Sequence, residues 1–580
     1  MDEERFIIEV EKHTILYDIT HQYYKDNVRK DKAWCLVGGV IGVEVDVCKA
    51  KWKSLRDAFV KTRKKSIPSG SAGGSQKAWK YSDIMSFVLP YIQQRSATAS
   101  LCLGSMAALK FVDCLGGALP ENETALRQIH LPRVFDQHIT AVLEKIRGKK
   151  LSVVVDETTD TRDCSVLNIV IGVENQYYLV DVIFMDRCNH STVAQAIIRS
   201  FHSNNLDLND VWAVVTDNAS YCLKAYREIL KGVMPNSVHV TCLCHVINLV
   251  GETWQHYRYF SDAASLVAAM RSVFCRKPAR KRRRVSFLIN KEFVHTKAPP
   301  ESVGSRWNSM FEAVQYHAEH VHLYREFLLE ENSSAQAVTN ILSLLETEEK
   351  MQALTVKLTF IAEGCSKLMT ALTILEGTHR TTAVSAYNIM EDLGSYLVNG
   401  TAKTCGFGAK TDELLRKTGV RERKQVLDDL HDAFHLAFTK FSKHWDTHPA
   451  REIYKLIRVF DPRQAPAMEK RMEAYTSLIP MANPSQELSE QWIAYQHSRE
   501  PLAADVTLAD YWRGMSMRFP KVAEMAMSYI YFPVSSVDCE RSFSKYKTLL
   551  TDKREALTEL NTKRLTIMYF NGDVSDRWKT

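Results

Sequence analysis

The sequence predicts a composite of the α/β and all-α classes, and three observations carry that expectation. Apolar residues recur at helical spacing through residues 1–94. Between 149 and 260 the grammar changes to short apolar runs with strand character, followed by strands alternating with helical patterns. Residues 261–520 then read almost wholly as helix. Residues 95–148 are expected to be a helical linker and 521–580 to complete the core, giving five segments in all.

The first segment reads as three helices. Phe6, Ile7, Val10, Ile15 and Leu16 space like one face, Trp34, Leu36, Val37 and Ile41 like a second, and Cys48, Trp52, Leu55 and Phe59 like a third. Lys49, Lys51, Lys53, Arg56, Lys61, Arg63, Lys64 and Lys65 ride on or just beyond that third helix. A basic third helix on a small bundle suits the major groove, the alternative being a solvated lysine face. Ser66–Gln76 has the composition of a flexible loop. Trp79, Tyr81, Ile84, Phe87 and Leu89 are expected to pack back onto the bundle. Trp34 and the run Cys48–Asp57 resemble a MADF domain, a relative of the Myb/SANT fold. That resemblance makes the tryptophans core residues and implies a DNA-binding surface on Lys49, Lys53 and Arg56.

After the linker, with breaks at Gly116-Gly117 and Pro120, Leu151–Val155 reads as a buried strand. Val166–Val173 and Tyr177–Met185 read as a hairpin turning at Glu174-Asn175-Gln176. Then come a helix over Thr192–His202, a strand over Val211–Thr216, a helix over Ala219–Leu230, a strand over Val238–Cys242 and a helix over Cys244–Tyr257. This is the element order of a ribonuclease-H-like core, which carries one acid on its opening strand and a second at the end of its fourth. The helical stretch that follows holds a basic cluster, Arg276–Arg284, rich enough for nuclear import or DNA backbone contact. It also holds Arg306-Trp307, and long amphipathic patterns over Leu342–Glu376 and Val426–Lys443.

Length and 45% hydrophobic content allow a large core, and the net charge of +7 is a mild excess concentrated in a few runs. The 13 scattered cysteines and the acidic start Met1-Asp2-Glu3-Glu4 predict free thiols in a reducing compartment and no secretory signal. No apolar stretch approaches the roughly twenty residues of a membrane span. A soluble, intracellular protein with no membrane partner is expected.

The chemistry lies in three acids. Asp156 ends Val153-Val154-Val155, Asp217 ends Val214-Val215-Thr216, and Glu540 sits in an amphipathic run after Pro533. Each has an ordinary alternative: a turn cap for Asp156, a helix N-cap for Asp217, and a surface pair with Arg541 for Glu540. Ser535 and Asp538 make a capping-box pattern that starts the Glu540 helix. If the three acids meet, hard carboxylate oxygens suit a pair of Mg²⁺ ions and in-line phosphodiester chemistry. Cys242 and His245 form a lone Cys-x-x-His, too little for a zinc site, and a buried histidine at a strand–helix junction is the better expectation. Arg306 can fork onto a phosphate and Trp307 can stack on an unpaired base, or the indole can simply pack at a helix start.

Taken in order, Val153–Asp156, Thr216–Ala219, Cys242–Leu249, Arg306-Trp307 and Ser535–Ser544 resemble the hAT superfamily of DNA transposases, or host proteins derived from them. The resemblance covers about 150 to 572. It implies that Asp156, Asp217 and Glu540 are the catalytic, metal-holding acids, with Mg²⁺ or Mn²⁺ as cofactor. It implies a helical insertion domain at 261–520 carrying Arg306 and Trp307 against DNA, active-site support by Cys242 and His245, an N-terminal dimerisation region as the other reading of 95–148, and a C-terminal dimerisation region within 521–580. The partners implied are double-stranded DNA, as transposon ends and target, and at least one further copy of the chain, in the nucleus. The family's usual N-terminal BED finger is replaced here by the MADF-like unit. A domesticated, DNA-binding regulator without catalysis is therefore the alternative.

Overall fold

The computed structural model describes residues 2–18, 27–64, 80–81, 83–91, 123–160, 163–293, 296–300, 307–377, 380–404, 406–476, 485–498, 502–503, 505–550 and 557–572. The chain divides into two compact units, Met1–Gly104 and Ser105–Thr580.

The first unit contains helices α1 (Glu3–Glu11), α2 (Asn27–Ile41) and α3 (Val45–Lys64). Asp2 starts α1 because its carboxylate accepts the Glu4 and Arg5 amides at 3.1 and 3.4 Å. Gly42, at φ +73°, ends α2: its amide and that of Val43 return to the Gly38 carbonyl, which needs a left-handed residue at the turn. The expected faces form the core, including Phe6, Val10, Trp34, Val37, Cys48, Trp52, Leu55 and Phe59. Trp34 and Trp52 are buried as the resemblance implied, Trp52 stacking on Phe87 at 6.3 Å. Leu36 departs from the expectation: it is 60% exposed, because α2 buries the Ala33–Trp34–Val37 side instead. The expected loop at 66–76 and Trp79 lie outside the described residues.

The second unit is mixed α/β and mostly helical. After helix α4 (Leu131–Ile146) come β1 (Leu151–Thr159), β2 (Ser165–Val173) and β3 (Gln176–Met185), then α5 (His190–Ser203), β4 (Val211–Thr216), α6 (Ser220–Ala225), β5 (Val238–Thr241) and α7 (Leu243–His256). The sheet order is β3-β2-β1-β4-β5. β1 pairs antiparallel with β2 and parallel with β4, while β4 pairs parallel with β5. Strand β1 runs four residues further than the apolar run, because Asp156–Thr159 continue the ladder to β2. Its residues alternate between two cores: Val153 and Val155 pack with α4 and α5, and Val154 joins the large helical core. A sheet covered on both faces explains why its strands read as continuous apolar runs.

The helical part includes α8 (Pro278–Asn290), α9 (Trp307–His320), α10 (Glu348–Leu375) and α11 (Val420–Trp445). The helix expected over Leu342–Glu376 is broken before Glu348, where the Thr347 hydroxyl accepts the Lys350 amide and starts α10 afresh. Helix α10 also corrects the membrane expectation. By length and composition it is able to cross a bilayer. Here Leu354, Leu358, Phe360, Ile361, Leu368 and Leu372 are buried in the core. The last helices among the described residues are α12 (Val537–Leu549) and α13 (Glu559–Asn571). The Asn571 side chain exchanges two hydrogen bonds with the Leu179 backbone, at 2.8 and 3.0 Å, and so pairs one residue of the outer strand β3.

Candidate functional site

The register of the parallel pair sets two of the acids side by side. Val154 lies opposite Val215, and two residues later on each chain come Asp156 and Asp217. Asp156 does not end its strand; it lies two residues past the last parallel pair, Val154–Val215, and faces Asn168 across the antiparallel ladder. Its Oδ1 accepts the Glu157 amide at 2.9 Å, and Asp217 Oδ1 accepts the Ala219 amide at 3.1 Å. The N-cap expected at Asp217 falls instead on Ala219, which makes no side-chain capping bond, and the Asp217 carboxylate only closes the turn before α6; both acid side chains remain partly buried.

The third acid is delivered by α12. The expected Ser535–Asp538 capping box is absent: Ser536 is the N-cap and makes no side-chain capping bond. Contacts from other elements fix the helix start instead. The Leu243 amide donates to Val534 O at 3.0 Å, Tyr454 Oη donates to Pro533 O at 2.7 Å, and the Ser536 amide donates to Cys242 Sγ at 3.3 Å. Cys242 Sγ also accepts the His245 amide at 3.4 Å. One thiol therefore caps α7 and staples the start of α12 to it, which gives the Cys-x-x-His spacing a structural use. The hydrogen bond from Cys244 lowers the Cys242 pKa, and the amide and hydroxyl of Ser536 act the same way. His245 is partly buried in the first turn of α7.

Further along α12, Cys539 Sγ donates to Val154 O at 3.2 Å. Asn168 Nδ2 donates to Ser542 Oγ at 2.6 Å, and Ser542 Oγ donates in turn to Cys539 O at 2.6 Å. Arg541, expected as a partner for Glu540, instead bonds Asp538 at 3.1 Å and Glu376 O at 2.7 Å. Tyr546 Oη donates to Asp160 Oδ2 at 3.1 Å. With Cys539 on the carbonyl of Val154, the neighbouring Glu540 is held near the sheet end that carries Asp156 and Asp217.

The electrostatics register that convergence. The Asp156 carboxyl is pushed well above its usual range, first by burial, then by the charges of Asp217 and Glu540. The Cys222 thiol, which donates to Asp217, is pushed up by burial and by that carboxylate. On the opposite face of β1, Tyr221 Oη donates to Glu157 at 2.9 Å. Among the described residues, no three His, Cys, Asp or Glu side chains are gathered closely enough to hold a metal ion already. The donor set nevertheless suits a hard divalent cation, because carboxylates in one another's field are relieved by positive charge.

In the first unit the proposed DNA-contacting residues divide. Lys49 is ion-paired to Asp31 at 2.6 Å, and Lys51 to Glu3. Lys53 is exposed. Arg56 lies close enough to Lys30 that its charge, after burial, lowers the lysine's pKa. Arg306 lies outside the described residues, as does the side chain of Trp307, whose backbone opens α9. Sequence reasoning missed Asn168, Cys539 and Ser542. Asn168 had a signal: a fully buried amide inside the apolar run of β2.

Residues 6–88 match the family described as alcohol dehydrogenase transcription factor Myb/SANT-like, the MADF domain. Residues 489–571 match the hAT family C-terminal dimerisation region. The chain joins a MADF segment to a hAT C-terminal region. The hAT match contains the whole of α12, including Glu540. A curated relative, transcription factor Adf-1 of Drosophila melanogaster, is 31% identical over 106 residues, 18% of this chain. The match spans 37% of that protein's length.

Proposed function

We propose that the second unit is the core of a hAT-like DNA transposase that cuts and joins DNA with Asp156, Asp217 and Glu540. The single observation behind this reading is geometric: the β1–β4 register sets Asp156 beside Asp217, and the Cys539 bond to Val154 O brings α12, with Glu540, to the same strand end. The sheet order, with the antiparallel β2–β3 hairpin beside the three parallel strands β1, β4 and β5, supports a ribonuclease-H-like arrangement in which 261–520 is an insertion. Mg²⁺ or Mn²⁺ bound there would supply Lewis acidity for phosphodiester transfer. The chain's own part is to hold three carboxylates in register: β1 and β4 set the first two, and the α12 contacts set the third. The MADF unit would bring double-stranded DNA, the hAT region a second copy of the chain, and the working compartment would be the nucleus.

A second reading is favoured by the named relative: a nuclear DNA-binding regulator of transposase origin without catalysis. One assay separates the two. Full-length protein is incubated with Mg²⁺ and a plasmid carrying the DNA that flanks its own gene on both sides. Transposase chemistry gives Mg²⁺-dependent strand cleavage that Asp217→Ala abolishes while leaving DNA binding intact. DNA binding with no Mg²⁺-dependent product supports the regulator.

A further inference from the structure

The basic run at 276–284 looks uniform in sequence and is sharply divided in the fold. Arg284 is fully buried, its guanidinium against the rings of Tyr324, Phe327 and Phe287 at 4.7, 5.1 and 5.2 Å, with Nη1 donating to Leu323 O. Arg280 and Arg283 both grip Glu331, at 2.9 and 2.5 Å. These three arginines pin α8 to the neighbouring helices. Arg276, Lys277 and Arg282 are exposed, and among the described residues none has an acid at ion-pair distance. No Asp or Glu occurs between Asp262 and Glu292. Arg276 is held at φ +53°, a left-handed corner that glycine would occupy at lower cost. Lys277 is the N-cap of α8. Arg282 lies five residues on, about 7.5 Å along a helix. Successive phosphates of one DNA strand rise about 3.4 Å, so that step matches about two of them.

We propose that Arg276, Lys277 and Arg282 form a second duplex-DNA contact, carried by the helical part of the second unit and directed at the phosphate backbone. The proposal rests on the DNA-processing reading and adds where the duplex is gripped outside the MADF unit. Backbone phosphate is favoured over an import receptor, for which the run was equally suited by composition. A receptor that reads an extended basic segment would have to unwind α8, pulling Arg284 from its aromatic cage and both arginines from Glu331. A phosphate backbone needs only the outward side of the intact helix.

The test uses the full chain with Lys53→Ala and Arg56→Ala already in place, so that MADF binding is reduced. Duplex affinity is measured by fluorescence anisotropy at several salt concentrations. Adding R276A, K277A and R282A together should lower affinity at least tenfold at low salt and reduce the log–log salt slope by about two to three. A control removes the same charge at Lys350, Lys417 and Lys521, which pair with Glu346, Glu413 and Glu524. The control should change the slope by less than about one. An unchanged slope in the first triple variant, or an equal loss in the control, overturns the proposal. Abolished nuclear import with DNA affinity retained assigns the run to a receptor and also overturns it. Cleavage and the Asp217→Ala result are read separately, so either reading can fail alone.

Discussion

The acid edge of the second unit and the basic helix of the first handle charge in opposite ways. At the acid edge, three carboxylates are brought together against their own repulsion, and Asp156 bears the cost in a raised pKa. Bonds from the start of α7, Tyr454, β1 and β2 hold the segment that carries Glu540 there. On α3 the cations lie on the surface, and where they are close to acids they pair with them, as Lys49 does with Asp31. The first site stores electrostatic strain in a fixed geometry and should respond to substitution almost all or none. The second is a sum of weak, screened contacts and should respond in steps.

The largest effect expected from this contrast is at Glu540. Glu540→Gln keeps the shape and removes the charge, so cleavage should fall by about a thousandfold or more while duplex affinity stays within about twofold. Parallel loss of affinity would mean that the carboxylate serves the fold. Next is Arg541. Its removal unties α12 from Glu376 O and breaks the intrahelical pair with Asp538, and urea titration should show a loss of about 1–2 kcal/mol. Cleavage should drop further than that loss of folded protein explains, since the helix start that carries Glu540 loosens. Undiminished cleavage at full folding would remove Arg541 from the positioning set.

Smaller again is the effect of relieving the acids. The Asp156 carboxyl binds its proton more tightly folded than unfolded, so its contribution to stability is present at low pH and is lost as pH rises through the raised folded value. Asp156→Asn removes that loss. At neutral pH without divalent ions, the variant should melt on the order of 1–3 °C above the parent. Mg²⁺ should raise the melting temperature of the parent, more at pH 8 than at pH 6, and leave the variant unmoved. A variant that melts lower and still responds to Mg²⁺ would place the cation elsewhere.

How much of this was legible in the sequence follows the same division. The basic third helix and its apolar faces could be read from spacing, because one helix contains both the apolar stripe and the charges. Leu36 was misassigned because two nearly equivalent stripes on α2 compete, and only packing chooses between them. The strands β1 to β5 could be read from their apolar runs, and Asp156 and Asp217 from where those runs stop. The hold on Glu540 could not. It depends on Cys242, Cys539 and Asn168, whose partners lie hundreds of residues away in sequence, and the local Ser535–Asp538 pattern pointed to a capping box that does not form. The Arg276–Arg284 run misled in the other direction. Composition treats a caged Arg284 and a solvent-facing Arg282 alike.

The smallest effects belong to α3, where they sharpen the comparison from its exposed side. Arg56→Ala should reduce the salt slope of duplex binding by about 0.9, the value for one phosphate that the protein no longer neutralises. Lys49→Ala should reduce it by less than half of that, because Lys49 divides its time between phosphate and Asp31. That ion pair is partly exposed on both sides, and such pairs contribute only about 0–1 kcal/mol, so DNA can compete for the lysine. Removing the competitor tests this directly: Asp31→Asn should tighten duplex binding by roughly two- to fivefold at low salt, and the gain should vanish in a Lys49→Ala background. A gain that survives without Lys49 would show that Asp31 acts through the general field of the unit. The α3 surface would then resemble the acid edge more closely, with charges coupled across the whole face and no longer additive.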